Sequence, residues 1–269
     1  MPRPSDGRGK MALGAGRATV KLLDSEFKNR SLTIINRMKV LVAQPNLAEQ
    51  VRKAIVSEIA SGKLKPRERI IQEQIAQVLG VSRQPVQQAL LLLKNQGVLR
   101  DAAGRGLIVA PLDLGQVRNM YDIRAVIEGL AFRKAAENNP ERAKKFGPAL
   151  IQNGRKCVKS GSVAAMIAAD IKFHDFIYEL SENPLIAPSM EVQWTNTQRV
   201  MGEVLMRDEK PRDIWDQHEA MLDVVMAGDG TKSEAMARLH ITQAADFMIH
   251  RLSSEAPEAQ PHEGVAVSV

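Results

Sequence analysis

One cysteine, two tryptophans, two tyrosines and six phenylalanines are all that the 269 residues hold of these types. The lone Cys157 excludes an internal disulfide framework and suits a reducing cytoplasm, which is the expected compartment. Aromatics at 4% leave the core to Leu, Ile, Val, Ala and Met. With 44% hydrophobic residues these suffice for one large domain or two ordinary ones, and they favour helices over an aromatic-rich sandwich. No apolar run approaches the roughly 18–20 residues that cross a bilayer, and the opening MPRPSDGRGK lacks the apolar stretch of a secretory signal, so no membrane association is expected. Repeats of fixed period are absent. So are the HExxH and GxSxG patterns of hydrolytic sites, and the chain is not expected to be an enzyme.

What is present is unevenly placed. Residues 1–111 hold 19 Lys and Arg against 8 Asp and Glu, a net of +11, whereas the remainder nets −5. Either this is ordinary surface variation, or the first part meets a polyanion and the second does not.

Residues 1–45 form a basic arm rich in Gly, Arg and Lys, expected to be flexible; translation starting at Met38 is a second reading. Order begins at Asn46, which with Glu49 forms a capping box ahead of a helix carrying Val51, Ile55 and Ile59. A short helix from Ile71 to Leu79 stops at Gly80. Ser82 can cap a third helix, with Val86, Ala89, Leu90 and Leu93 inward, up to Gly97. Two short strands, VLRD and GLIVA, then flank Ala102 to Gly106. Three helices and a β hairpin are the order of a winged helix-turn-helix, expected over 46–111. Such a fold lays its third helix in a DNA major groove. Arg83, Gln84 and Gln87 would reach base edges or phosphates, Ser82 a phosphate, and Arg105, between Gly104 and Gly106, a phosphate or the minor groove. A protein-binding winged helix is the alternative.

From Asp113 the pattern is helical throughout: roughly 113–138, 141–159, 162–181, 184–208, 212–227 and 231–253, separated by Pro and Gly signals, with Pro188 expected to kink or delay the fourth. The expected fold is therefore mostly α, a winged helix-turn-helix followed by an all-helical antiparallel bundle over 112–253 and a flexible tail over 254–269. Five histidines are present. Asp170 and His174 stand at i and i+4, about 40° apart on one helical face, among Ile167, Ile171 and Ile177; His218 and His240 lie on the last two helices. These four could converge on a divalent cation, for which Zn, Ni or Mn suit the donors. Three neutral imidazoles and one carboxylate leave a net charge near +1, which favours a small carboxylate at any open coordination position. An internal Asp–His hydrogen bond explains the same spacing. His250 and His262 receive no role.

The stretch IAQVLGVSRQPVQQALLLLKNQGVL resembles the GntR family of bacterial transcription regulators, and RAVIEGLAFRKAA is similar to the opening of the FCD effector domain in the family's FadR-type branch. The resemblance covers about residues 46–253. It implies DNA contact by Ser82, Arg83, Gln84 and the wing at Gly104, Arg105 and Gly106, and a metal held by Asp170, His174, His218 and His240. It further implies a homodimer on a palindromic operator, released by a small organic acid, hence a repressor. Arg124 matches an arginine of the first effector-domain helix that often faces the cavity, with a structural ion pair as its other reading; Arg199 is a second effector-binding candidate. A purely structural metal, or a metal-dependent hydrolase with an accessory DNA module, are the alternative functions. The chain departs from the family pattern at Gln87 and Gln88, which replace Arg-Glu, and at Arg67, which replaces a glycine.

Overall fold

The computed structural model describes residues 46–206 and 214–254. The arm over 1–45 and the tail beyond Ser254 lie outside the described residues. Among the described residues no helix is long and apolar enough to cross a membrane.

The first part, here called the head, begins with α1 (Leu47–Ala60). Asn46 Oδ1 accepts from Glu49 N at 3.1 Å, but the expected reciprocal bond is replaced: the Glu49 carboxylate takes Arg52 Nε at 2.7 Å. A charged guanidinium one turn on is a stronger partner than a neutral amide. A strand that no pattern foretold, β1 (Arg69–Ile70), comes next. It follows Arg67, whose φ of 69° is the left-handed region and explains why a glycine suits that place. Helix α2 (Gln72–Leu79) ends at Gly80, with φ 64°. Helix α3 (Arg83–Asn95) buries Val86, Ala89, Leu90 and Leu93, the four expected, and Gly97 at φ 72° turns the chain away. Ser82 occupies the N-cap position but its side chain makes no capping bond, contrary to expectation. Strands β2 (Leu99–Asp101) and β3 (Leu107–Val109) follow. The sheet is therefore three-stranded rather than a hairpin, antiparallel in the order β1-β3-β2, with Leu99 opposite Val109 and Arg69 opposite Ile108. Val51, Ile55, Val86, Leu93, Val98 and Val109 fill its core.

Six helices form the second part: α4 (Leu114–Asn138), α5 (Pro140–Ser160), α6 (Val163–Leu180), α7 (Ile186–Leu205), α8 (Ile214–Met226) and α9 (Gly230–Ser253). Their starts follow from caps and prolines. Asp113, Ser162 and Asp229 each accept a backbone N–H two or three residues into the helix that follows, and Pro140 opens α5 where its missing N–H costs nothing. Helix α7 starts two residues after Pro184, with Pro188 in its first turn, so the delay is found and the helix is not broken. Packing is antiparallel and close. On α4 and α9, Arg118 pairs with Asp246, Gly129 lies against Arg238, and Gly230 lies against Glu137. On α5 and α8, Gly147 meets Leu222 and Gly154 meets the Trp215 ring. Phe132, Phe173, Ile177, Met190, Trp194 and Trp215 form the centre of this core, on which the histidine-bearing faces of α6 and α8 converge.

Candidate nucleic-acid interface and metal centre

Helix α3 turns its apolar face inward, and this leaves Ser82, Arg83, Gln84, Gln87 and Gln88 exposed at its start. Gln72 Nε2 donates to the Arg83 carbonyl at 2.9 Å, tying α2 to the first turn of α3. The Arg83 guanidinium pairs with Glu73. Both are exposed, so the pair is worth at most about 1 kcal/mol. It orients Arg83 without withholding it from a phosphate. At the wing, Gly104 and Gly106 take φ 105° and 99° and hold Arg105 at an exposed tip. Arg69 of β1 donates to the Arg105 carbonyl. A Cβ on Gly106 would stand 3.4 Å from the Arg69 guanidinium, so the glycine makes room for this brace. A helix start and a cationic wing on one small domain suit a duplex groove and its flanking backbone.

The second site is built by α4, α6, α8 and α9. His174, His218 and His240 are buried, and one ring nitrogen of each lies within 4.8 Å of the others. Asp170 Oδ1 stands 3.5 Å from His218 Nε2. Both nitrogens of His218 are buried, and neither has a hydrogen bond among the described residues. Phe173 stacks on the His218 ring at 4.5 Å and Trp215 meets it edge-on at 4.8 Å, which fixes its plane. His240 Nδ1 is 2.8 Å from Gln217 Oε1; donating to that oxygen leaves Nε2 free as a lone pair. His174 Nδ1 lies against Glu128 Oε2, which directs its Nε2 in the same way. Arg124 Nε and Nη2 donate to Glu128 Oε1 at 3.0 and 2.6 Å.

Burial dominates the electrostatics. It pushes the His218 pKa well below the ordinary range and that of His240 down to about 3, with the neighbouring histidines adding to the effect. It also raises Asp170. For His174 burial again acts downward, but the Glu128 carboxylate more than offsets it and the net shift is upward. Burial pushes Glu128 up, yet His174 and Arg124 together hold it at about 2. His218 and His240 are thus neutral near neutral pH, the state in which imidazole binds a metal. The donor set of three imidazoles and one carboxylate, with a buried imidazole otherwise unpartnered, fits a divalent cation.

Comparison with known proteins places both halves. Residues 47–109 match the bacterial regulatory proteins of the gntR family, and residues 119–243 match the FCD domain. The chain belongs to the GntR family and carries an FCD domain. GntR relatives agree. A probable D-xylose utilization operon transcriptional repressor of Paenarthrobacter nicotinovorans is 26% identical over 74% of this chain and 88% of its own length. The HTH-type transcriptional regulator YdhC of Bacillus subtilis is 29% identical over 46% of this chain and 56% of that protein. The structure of Escherichia coli McbR/YncC shares the fold, with a TM-score of 0.69 at 21% identity over 79% of this chain and all of the other. This GntR protein is accordingly a DNA-binding transcriptional regulator; its relatives are regulators, not enzymes.

Not every candidate lies where the sequence put it. Arg124 is inside the bundle, under the Trp194 ring at 4.5 Å and paired with Glu128, so the ion-pair reading describes its contacts. Arg199 is not brought to the histidine cluster. It turns from the histidine cluster to the head, where Nη2 donates to Ala110 O at 2.5 Å, and it lines a cavity of about 310 Å³ with Ile59, Pro66, Val109 and Met206. Three contributors were not foreseen: Glu128 on His174, Gln217 on His240, and Arg69 under the wing. The i, i+4 spacing of Arg124 and Glu128 was the one signal available for any of them.

Proposed function

We propose that this regulator is a homodimeric repressor whose DNA affinity is set by a small organic acid at a divalent metal ion held by Asp170, His174, His218 and His240. The observation that carries the reading is the convergence of three buried imidazoles, one of them without any hydrogen bond. A buried polar group left unpartnered costs about 1–3 kcal/mol, which a coordinated cation would offset. The ion would supply a positive charge and open positions for a carboxylate; Glu128 and Gln217 orient His174 and His240 toward it. Dimerisation is supported by α4, which leaves Ile123, Val126 and Leu130 exposed at i, i+3 and i+7, an apolar stripe that no other described residue covers. A two-fold dimer presents two reading helices and therefore selects a palindrome.

The test is elemental analysis of the purified protein, calorimetry with Zn²⁺, Ni²⁺ and Mn²⁺, and a thermal-shift screen of small carboxylates on the loaded form. Stoichiometric metal, and acids that raise the melting midpoint and weaken binding to a selected palindromic duplex, are expected. Metal without any acid response would leave the cation a structural role only. No metal uptake would end the reading.

A further inference from the structure

Helix α7 is bonded to both functional parts of the molecule, on opposite faces. Toward the bundle, Thr197 Oγ1 accepts from Arg124 Nη1 at 3.2 Å. Arg124 is held in turn by Glu128, and Glu128 lies against His174. These four side chains are 3% exposed or less. They form one unbroken buried path from the histidine cluster to the middle of α7.

Toward the head, the same turn of α7 makes a different set of bonds. Thr195 Oγ1 accepts from Arg52 Nη1 of α1 at 2.6 Å. Asn196 Nδ2 donates to the carbonyl of Gln96, the residue that caps the reading helix α3, at 3.1 Å. Arg199 Nη2 donates to Ala110 O, just past wing strand β3. One turn further on, Gly202 touches the end of α1 so closely that a Cβ there would stand 2.1 Å from Ala60 O. At about 100° per residue, Thr195, Asn196, Arg199 and Gly202 share an arc of about 120°, and Thr197 stands about 200° from Thr195.

A helix is stiff along its length, so a shift imposed at Thr197 is delivered to its neighbours on the far face. Those neighbours hold α1, the end of α3 and the end of β3, three separate elements of the head. Arg52 and Thr195 are buried, and a buried polar group separated from its partner is costly, so the contacts are made or broken rather than stretched.

We propose that α7 is the joint through which the histidine cluster sets the position of the reading head, with Arg124 and Thr197 at its sensing end and Arg52, Asn196 and Arg199 as positioning residues at its DNA end. What moves the joint, a cation at the cluster, rests on the metal-centre reading. The joint itself does not.

The experiment uses the full chain and three variants: Thr197→Val and Thr195→Val, which keep shape and remove one hydroxyl each, and Ser233→Ala as a control, since Ser233 Oγ is buried without a partner elsewhere in the bundle. Three quantities are read: Zn²⁺ affinity, the ratio of Kd values for a duplex selected from a random pool with and without Zn²⁺, and amide exchange of Leu47–Ala60 in the metal-free protein. In the wild type the Kd ratio is expected to reach about fivefold or more. Both threonine variants should bind Zn²⁺ as the wild type does, lose most of that ratio, and exchange several times faster over Leu47–Ala60, while Ser233→Ala changes nothing. Variants that keep both the wild-type ratio and the wild-type exchange overturn the joint, as does a wild type that binds Zn²⁺ with no change in Kd. If the wild type takes up no Zn²⁺, the metal-centre reading fails separately. The joint is then decided by exchange alone: Thr197→Val, made on the bundle side of α7, must speed exchange in α1 on the other side, and unchanged rates reject it.

Discussion

At the scale of single residues, burial gives the histidines different work. His218 and His240 are kept neutral because burial, with the neighbouring histidines, outweighs what Glu128 does for His240, whereas His174 has Glu128 directly against it and is pushed the other way. Glu128→Gln removes the group that orients His174 and should lower Zn²⁺ affinity by about 10–100-fold; His218→Ala should abolish stoichiometric binding in the same calorimetric titration. Arg124 tests the difference between a ligand contact and a structural one. Its substitution by Met strands the Glu128 carboxylate, and chemical denaturation of the metal-free protein should show a loss of about 3–5 kcal/mol. An arginine that serves the effector alone would leave that stability unchanged. On the DNA side, Arg105 sits at the wing and Arg83 at the helix start. Arg105→Ala should weaken binding to all duplexes alike and reduce the slope of log Kd against log salt by about 1, measured by fluorescence anisotropy at several salt concentrations. Arg83→Ala should also blur the preferred sequence, because a residue at the helix start reaches base edges as well as phosphates.

At the scale of elements, glycines set how near the helices come. Gly154 admits the Trp215 ring between α5 and α8, and Gly202 admits the α1 backbone against α7. An added methyl has nowhere to go at either place, and overpacking costs about 1–3 kcal/mol. Gly154→Ala should lower the melting midpoint with little effect on the head. Gly202→Ala should do so while also raising amide exchange in α1, because the atom it strikes is backbone rather than a side chain that can swing away. Helix α3 is held differently. Leu93 and Val86 are wholly buried, so the reading helix is anchored from beneath while its polar start stays free.

At the scale of the whole molecule, charge is divided along the chain: residues 1–111, the arm and the head together, net +11, and the remainder nets −5. The first part of the chain therefore attracts a polyanion and the second does not, which favours approach of DNA to the first part. The exposed stripe Ile123, Val126 and Leu130 should join two such molecules. Val126→Glu alters an exposed side chain, so the fold should survive, but light scattering should show monomers in place of dimers. Affinity for a palindromic duplex should then fall toward that for a half-site, since one reading helix in place of two loses the second set of contacts.

The amino-acid sequence by itself determined the order and ends of nearly every helix, because those depend on neighbours a few residues away. Gly80 and Gly97 turn the chain where only glycine turns easily, prolines 140 and 184 mark helix starts, and the spacing of Val86, Ala89, Leu90 and Leu93 defines a buried face. It also placed Asp170, His174, His218 and His240 on helices able to face inward. Periodicity tells which side of a helix is buried; it does not tell which helix lies opposite. Only the tertiary structure decided that three imidazoles from α6, α8 and α9 meet, that Glu128 rather than solvent faces His174, that Arg199 points to the head, and that two residues at 69 and 70 become a strand. Each of these is a contact between residues distant in the chain, fixed by how helices and strands pack, and local pattern carries no record of it.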